Sequence, residues 1–184
     1  MIERKGTKEM RSIEVLVLGG GASGMMAAIM AAREHAHVMI LEKKNRLGKK
    51  LLATGNGRCN FTNLHMNENC YYGNSKFISH LLTEVSAKCV IAEFEKYGIL
   101  HREKDGYVYP HTNQAATVVN GLYHACTQFG VIIYEDCEVE QITKKKEFLV
   151  HTSKGDFNSA YVVLATGGKA GKESGGSESG YSLA

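Results

Sequence analysis

Gly19, Gly21 and Gly24 fall at G-x-G-x-x-G spacing directly after the apolar stretch Ile13-Glu14-Val15-Leu16-Val17-Leu18, and an Ala/Met-rich run follows them. That order of residues suits a pyrophosphate. Glycine at 19 permits a tight turn from strand to helix, glycine at 21 lets the backbone come close to phosphate oxygens, and glycine at 24 lets the helix pack near the strand. The first N–H groups of such a helix, at Ala22, Ser23 and Gly24, lack intrahelical partners and face the phosphates. A second apolar segment, His37-Val38-Met39-Ile40-Leu41, ends in Glu42. It lies about 20 residues beyond the glycines, where a carboxylate accepts the ribose hydroxyls of an adenosine. Strand, glycine turn, helix, strand and acid in that order imply a bound dinucleotide. The glycines alone would fit a loop of another α/β protein, and Gly19 to Glu42 does not distinguish FAD from NAD(P).

The choice between those two rests on a second run, Thr54-Gly55-Asn56-Gly57-Arg58-Cys59-Asn60-Phe61-Thr62-Asn63. Its glycines expose backbone donors, while Arg58, Asn60, Thr62 and Asn63 add polar side chains. Such a surface suits a flavin ring and its ribityl chain and favours FAD. It lies in a polar, glycine-punctuated stretch from Asn45 to Asn63 that reads as a long loop, and long loops inside compact domains usually have a function.

The elements that must position these residues read as α/β. After the first strand, helix and strand, residues 78–97 carry helical periodicity in two pieces closed by Gly98. Gly106 to Pro110 is a short extended segment, Gln114 to Phe129 an amphipathic helix ending at Gly130, and Val131 to Tyr134 a buried strand. From Glu138 the period changes to two: 138–143, 147–152 and 157–159 form an antiparallel meander, turning at Lys144 to Lys146 and at Lys154-Gly155-Asp156. Tyr161 to Ala165 is a further buried strand ending in Thr166-Gly167-Gly168. A meander in place of one crossover helix is the layout of an FAD-binding Rossmann-type domain with a parallel sheet. The domain reading is a tail over 1–12, a Rossmann-like domain over 13–168, and a Gly/Ser-rich segment over 169–184 that leads toward a cap or insert region and leaves the fold C-terminally incomplete.

Composition excludes several other classes. With 184 residues, 43% hydrophobic and 22% charged, the chain is ordinary globular protein, and a net charge of +3 lacks the clustered basicity of a nucleic-acid binder. Five cysteines, an odd count with no C-x-x-C pair, argue for a reducing compartment and against a disulfide framework or a disulfide-reductase flavoenzyme. Glu3, Glu9 and Glu14 are wrong for a signal peptide, and no run is long enough to span a bilayer, so the reading is cytoplasmic with no membrane partner. The eight histidines show no ligand spacing with acids or cysteines, so no metal site is expected. Cys59 beside Arg58 is chemically suggestive as a low-pKa thiol, but without a partner cysteine it reads as a loop-shaping residue.

Taken together, G-x-G-x-x-G, the strand-end Glu42-Lys43, Gly48-Lys49-Lys50-Leu51-Leu52, T-G-x-G-R-C-N-x-T-N from Thr54, Ala165-Thr166-Gly167-Gly168-Lys169-Ala170 and Gly180-Tyr181-x-Leu183-Ala184 carry a resemblance. The chain resembles the BaiN-like, aminoacetone-oxidase-related family of NAD(P)/FAD-dependent oxidoreductases over nearly its whole length. The resemblance implies a flavoprotein in which the pyrophosphate is held by Gly19, Gly21, Ala22, Ser23 and Gly24 and the ribose by Glu42, with Lys43 and Lys50 offsetting phosphate charge. It places Thr54, Gly57, Arg58, Cys59 and Asn60 on the ribityl and ring side, Val139 at the main-chain pair that reads adenine, and Ala165, Thr166 and Gly167 beside the cofactor. Family members insert a cap domain after the A-T-G-G strand and then return to the sheet. This chain matches their N-terminal part, so it reads as a truncated frame or one half of a split gene with a separately encoded remainder. Two departures stand out: Gly106-Tyr107-Val108-Tyr109-Pro110 lacks an arginine the family pattern carries, and Glu178 replaces a glycine. The implied function is FAD-mediated oxidation or reduction of a small organic substrate, with NAD(P)H as reductant and no catalytic acid or base identified. The alternatives are an NAD(P)-binding module and a non-catalytic fragment.

Overall fold

The computed structural model describes residues 13–168 and 179–184. The 1–12 tail and most of the Gly/Ser-rich segment, Glu178 included, lie outside the described residues. In chain order the elements are β1 (Ile13–Leu18), α1 (Ala22–Arg33), β2 (Val38–Leu41), α2 (Lys49–Ala53), β3 (Thr62–Asn63), α3 (Ser75–Glu84), α4 (Ala87–Lys96), β4 (His101–Lys104) and β5 (Tyr107–Pro110). Then follow α5 (Ala115–Gln128), β6 (Ile132–Tyr134), β7 (Val139–Lys144), β8 (Phe148–Thr152), β9 (Gly155–Leu164) and α6 (Ser179–Leu183). Two compact units divide the chain, one made of residues 1–47 and 126–184, the other of 48–125.

The first unit holds a six-stranded sheet in the order β6-β2-β1-β9-β8-β7. Strands β6, β2, β1 and β9 run parallel, which is the Rossmann-type arrangement, and β7, β8 and β9 are antiparallel neighbours. Because side chains alternate across a strand, one face of β1 and β2 presents Leu16, Leu18, Met39 and Leu41. These join Ile13, Cys137 and Val150 in one core cluster, against which Val139, Ile142, Phe157 and Val162 of the meander pack. Helix α1 buries Met25, Ala28, Ile29 and Ala32, spaced i, i+3, i+4, i+7, and contacts β1, β2 and β9. The turn between β8 and β9 falls at Ser153-Lys154, earlier than the predicted Lys154 to Asp156, because Gly155, at φ +109°, and Asp156 already pair with Thr152 and His151 of β8.

Three strand expectations need correction. The segments 157–159 and 161–165 are one continuous strand, β9, which pairs antiparallel with β8 over 155–159 and parallel with β1 from Ser159 to Leu164. Buried Ser159 marks the change of partner: its hydroxyl lies 3.0 Å from the Glu14 carbonyl and 2.7 Å from that of Tyr161. Nor is the end of β9 buried, since Tyr161 is 63% and Leu164 42% exposed among the described residues. Strand β6 is likewise an exposed edge, with Ile132 and Tyr134 each 38% exposed, because β2 covers only one of its sides.

In the second unit β3, β5 and β4 form a small antiparallel sheet. Strand β4 was not read from the sequence, because all four of its residues are exposed and carry no apolar alternation. The Asp105-Gly106 turn, both residues at positive φ, was the available signal. Val108, Ile99, Val118, Val119 and Leu122 are buried, and the Phe61 and Phe94 rings stack at 4.9 Å between centroids. Helices α3 and α4 start on Asn74 and Ser86, whose side chains accept the N–H groups of Phe77 and Cys89. The predicted stops are present, with Gly98 at φ +74° after α4 and Gly130 at φ +73° after α5. No described helix is long and apolar enough to cross a membrane.

Candidate functional site

The glycine turn in the first unit is built by its neighbours. Gly19 adopts φ +106°, which a side chain rarely tolerates, and its N–H donates to the Leu41 carbonyl at 2.8 Å. A Cβ at Gly24 would run into the Gly19 carbonyl oxygen, with the Ala165 methyl 3.3 Å away. The start of α1 therefore sits tightly against the turn. Gly21, the residue before α1, is different: at φ −78° a Cβ there would meet nothing within 4 Å. It opens outward, and the next two residues, Ala22 and Ser23, which start α1, are exposed.

Glu42 is joined to this turn. One carboxylate oxygen accepts the Gly20 N–H at 2.7 Å and the other the Lys44 N–H at 2.8 Å. Its own backbone is fixed on both sides, the N–H donating to the Tyr134 carbonyl and the carbonyl accepting from Cys137, each at 2.9 Å. Each carboxylate oxygen retains a further lone pair for a hydroxyl donor. Leu47 closes the turn from below: it is buried, a Cβ at Gly20 would strike its side chain, and its N–H donates to a Glu135 carboxylate oxygen at 3.2 Å. Sequence reasoning missed Leu47, because its contact with the glycine turn exists only in the folded chain. At the other side of the turn the Ala165 N–H donates to the Leu18 carbonyl at 2.9 Å, so Ala165, Thr166 and Gly167, the last at φ +82°, leave the sheet beside Gly19.

Lys43 and Val139 are also in this unit. The Lys43 ammonium is 2.5 Å from a carboxylate oxygen of Glu138, the residue before Val139. Val139 opens β7 opposite Thr152, beside a register irregularity, and its side chain packs on the core cluster. Gly19, Gly21, Ala22, Ser23, Gly24, Glu42, Lys43, Val139, Ala165, Thr166 and Gly167 thus belong to one compact unit.

Lys50, Thr54, Gly57, Arg58, Cys59 and Asn60 belong to the other unit. Here the long-loop expectation is corrected. Lys49 to Ala53 forms α2, residues 54–57 form a 3-10 turn, and Thr62 enters β3. The segment is shaped by left-handed residues, Gly55, Asn56, Gly57 and Cys59 at φ +55°, +52°, +79° and +58°. The Thr54 hydroxyl donates to the Leu51 carbonyl at 2.6 Å, and the Cys59 N–H to the Thr54 carbonyl at 3.0 Å. Arg58 donates through Nε to the Gly55 carbonyl at 3.1 Å and lies over the Tyr109 ring, 5.3 Å from its centroid. Tyr109, on β5, thus supports the arginine from its ring face. Cys59 is buried, and that burial pushes its thiol up, opposed by a hydrogen bond with Thr54. It is a loop-shaping residue and not an activated thiol. Among the described residues no group of three or more His, Cys, Asp and Glu is placed to hold a metal ion.

Comparison with known proteins agrees with this architecture. The profile of the HI0933-like protein Rossmann domain matches residues 13–184. The chain is 41% identical over 172 residues to a 3-dehydro-bile acid delta(4,6)-reductase of Clostridium scindens, covering 91% of this chain and 42% of that relative. It is 28% identical over 177 residues to the ribosomal RNA dihydrouridine synthase of Escherichia coli, covering 95% of this chain and 44% of that one. The chain thus spans less than half the length of either relative. Among solved structures, the 3-ketosteroid-delta4-(5alpha)-dehydrogenase of Rhodococcus jostii RHA1 has a similar fold, with a TM-score of 0.66 at 18% identity, over 91% of this chain and 48% of that one.

Proposed function

The chain belongs to the HI0933-like Rossmann-domain family, and from that premise we propose that it is the FAD-binding part of a flavin-dependent oxidoreductase. The observation that carries this reading is the opening at Gly21, where a Cβ would meet nothing within 4 Å and the next two residues are exposed, whereas a Cβ at Gly19, Gly20 or Gly24 would strike its neighbours. Such a cradle fits a pyrophosphate: the N–H groups of Ala22, Ser23 and Gly24 would bind its oxygens, and the absence of a side chain at Gly21 lets them approach. Glu42 would hold the adenosine ribose with the lone pairs its N–H partners leave, and the backbone at Val139 would read the adenine. Ala165, Thr166 and Gly167 would flank the cofactor where β9 ends. Thr54, Gly57, Arg58, Cys59 and Asn60 are proposed for the flavin side, with Lys50 offsetting charge.

When bound, FAD would supply the electron transfer, and the protein's part is to bind and orient it. The 41% identical relative is named a reductase, which supports reduction of a small organic substrate, and NAD(P)H is proposed as the reductant. The Thr54 to Asn63 segment favours FAD over NAD. Titration of the purified chain with each cofactor, followed by flavin fluorescence and by calorimetry, tests this. Tighter binding of FAD than of NAD and NADP supports the reading, and the reverse order replaces it with an NAD(P)-binding module.

A further inference from the structure

We propose that Lys43 and Glu138 form a latch that sets the spacing between the ribose-binding and adenine-reading sides of the site, making Lys43 a positioning residue and not a phosphate ligand. This rests on the FAD reading above. Lys43 follows Glu42 at the end of β2, and Glu138 precedes Val139 at the start of β7, 95 residues further along the chain. Backbone hydrogen bonds lace these two stretches together: Glu42 to Tyr134, Cys137 to Glu42, and Asp136 to Lys44, at 2.9, 2.9 and 3.0 Å. That ladder ends at Cys137. The Lys43–Glu138 ion pair, 2.5 Å long, extends the closure by one more residue, to the one that carries Val139. From the other side Ser153 fixes Glu138, its hydroxyl accepting the Glu138 N–H at 3.0 Å and its own N–H donating to the Glu138 carbonyl at 2.9 Å. Glu138 is thus held between β2 and the β8–β9 turn, and its neighbour's backbone is held with it.

The ammonium of Lys43 therefore has a carboxylate partner within the protein, and serving a phosphate would mean giving that partner up. Both side chains are about half exposed, 54% and 50%, so the pair is partly screened and its influence on binding is modest. The test uses the full chain with Lys43→Ala, Glu138→Ala, the double variant and the charge swap Lys43→Glu/Glu138→Lys. FAD affinity is read by fluorescence, adenosine and ADP affinities by displacement, and backbone protection of 136–139 by amide hydrogen exchange without ligand.

Each single variant should weaken FAD, ADP and adenosine alike, by about two- to fivefold. The double variant should be no worse than either single, the swap should restore binding, and exchange at 136–139 should speed up in both singles. An unchanged or tighter FAD affinity in Glu138→Ala overturns the proposal. So does a Lys43→Ala loss that grows from adenosine to ADP and is not restored by the swap, because that is the signature of direct phosphate contact. A parent chain that binds none of the three ligands overturns the FAD reading and this inference with it. Binding without coupling between the two residues overturns the inference alone.

Discussion

At the scale of single residues, the glycines of the turn separate into two kinds that a spacing rule treats as one. Gly24 is packed against the Gly19 carbonyl, whereas Gly21 faces open space at an ordinary backbone angle. Gly24→Ala should therefore lower stability by about 1–3 kcal/mol through overpacking, seen as a lower melting temperature. Gly21→Val should melt within a degree or two of the parent, about the scatter of a surface substitution, yet lose FAD affinity by about tenfold or more. Equal flavin retention by Gly21→Val and the parent would remove the phosphate site from this position. The cysteines divide in the same way. Cys89 is exposed, and hydrogen bonds from Ser86 hold its thiol below the ordinary value of 9.0, whereas burial pushes Cys126 up to about 12. Iodoacetamide at neutral pH should label Cys89 well before Cys59 or Cys126, as mapped by peptide mass spectrometry. The buried thiols also give an alkaline limb to stability. Below pH 9.0, the unfolded value, folded and unfolded Cys126 are both protonated and nothing is lost; above it the unfolded chain releases a proton that the folded chain retains, so stability falls toward about pH 12. Cys126→Ala should flatten that limb in thermal melts from pH 7 to 10.5, at a cost of about 1 kcal/mol at neutral pH.

At the scale of elements, β9 does two jobs with one length of backbone, and Ser159 sits where they meet. Ser159→Ala, which strips the hydroxyl facing the Glu14 and Tyr161 carbonyls, should cost about 1 kcal/mol in chemical unfolding. A neutral result would make the hydroxyl incidental to the change of partner. This strand also marks where the sequence stopped being legible. Its change of partner at Ser159-Ala160 interrupts the apolar pattern, so a period-two reading sees two short strands where the backbone runs on. Helices α3, α4 and α5 were legible because helical periodicity runs through them and glycines stop α4 and α5. Helix α2 was hidden by the glycines on both sides of five residues. Strand β4 was hidden because exposure on every residue leaves no alternation to read. At the candidate site the motif residues were visible by type and spacing. Their supports, Leu47, Glu138 and Tyr109, were not, since each belongs to a contact that only the tertiary fold creates.

At the scale of the molecule, the chain combines a parallel sheet with a second compact unit and covers less than half of the relatives it matches. On β9, residues 160–164 pair with β1 on one side, and no strand pairs with their other side among the described residues. Tyr161 and Leu164 stand exposed at that place. We predict that the purified chain holds FAD weakly, releasing it on gel filtration, and shows little or no steady-state oxidase or reductase turnover. Sustained turnover by the chain alone would show that the catalytic parts are all present. The pairing of β1 with β9 also decides the order in which the molecule can be made. The bond between Ser159 and Glu14 spans 145 residues, so during synthesis β1 emerges long before its central partner exists. Residues 48–125 have every contact of their own unit available as soon as Ala125 has emerged. The nascent chain should therefore complete its later-starting unit first, while apolar β1 and β2 wait for β9, a long-range closure of the kind that is intrinsically slow. During that interval the unpaired edges are open to trigger-factor-like holdases and to wrong neighbours. Nascent chains stalled past Ala125 should resist protease over 48–125 and still be cut within β1.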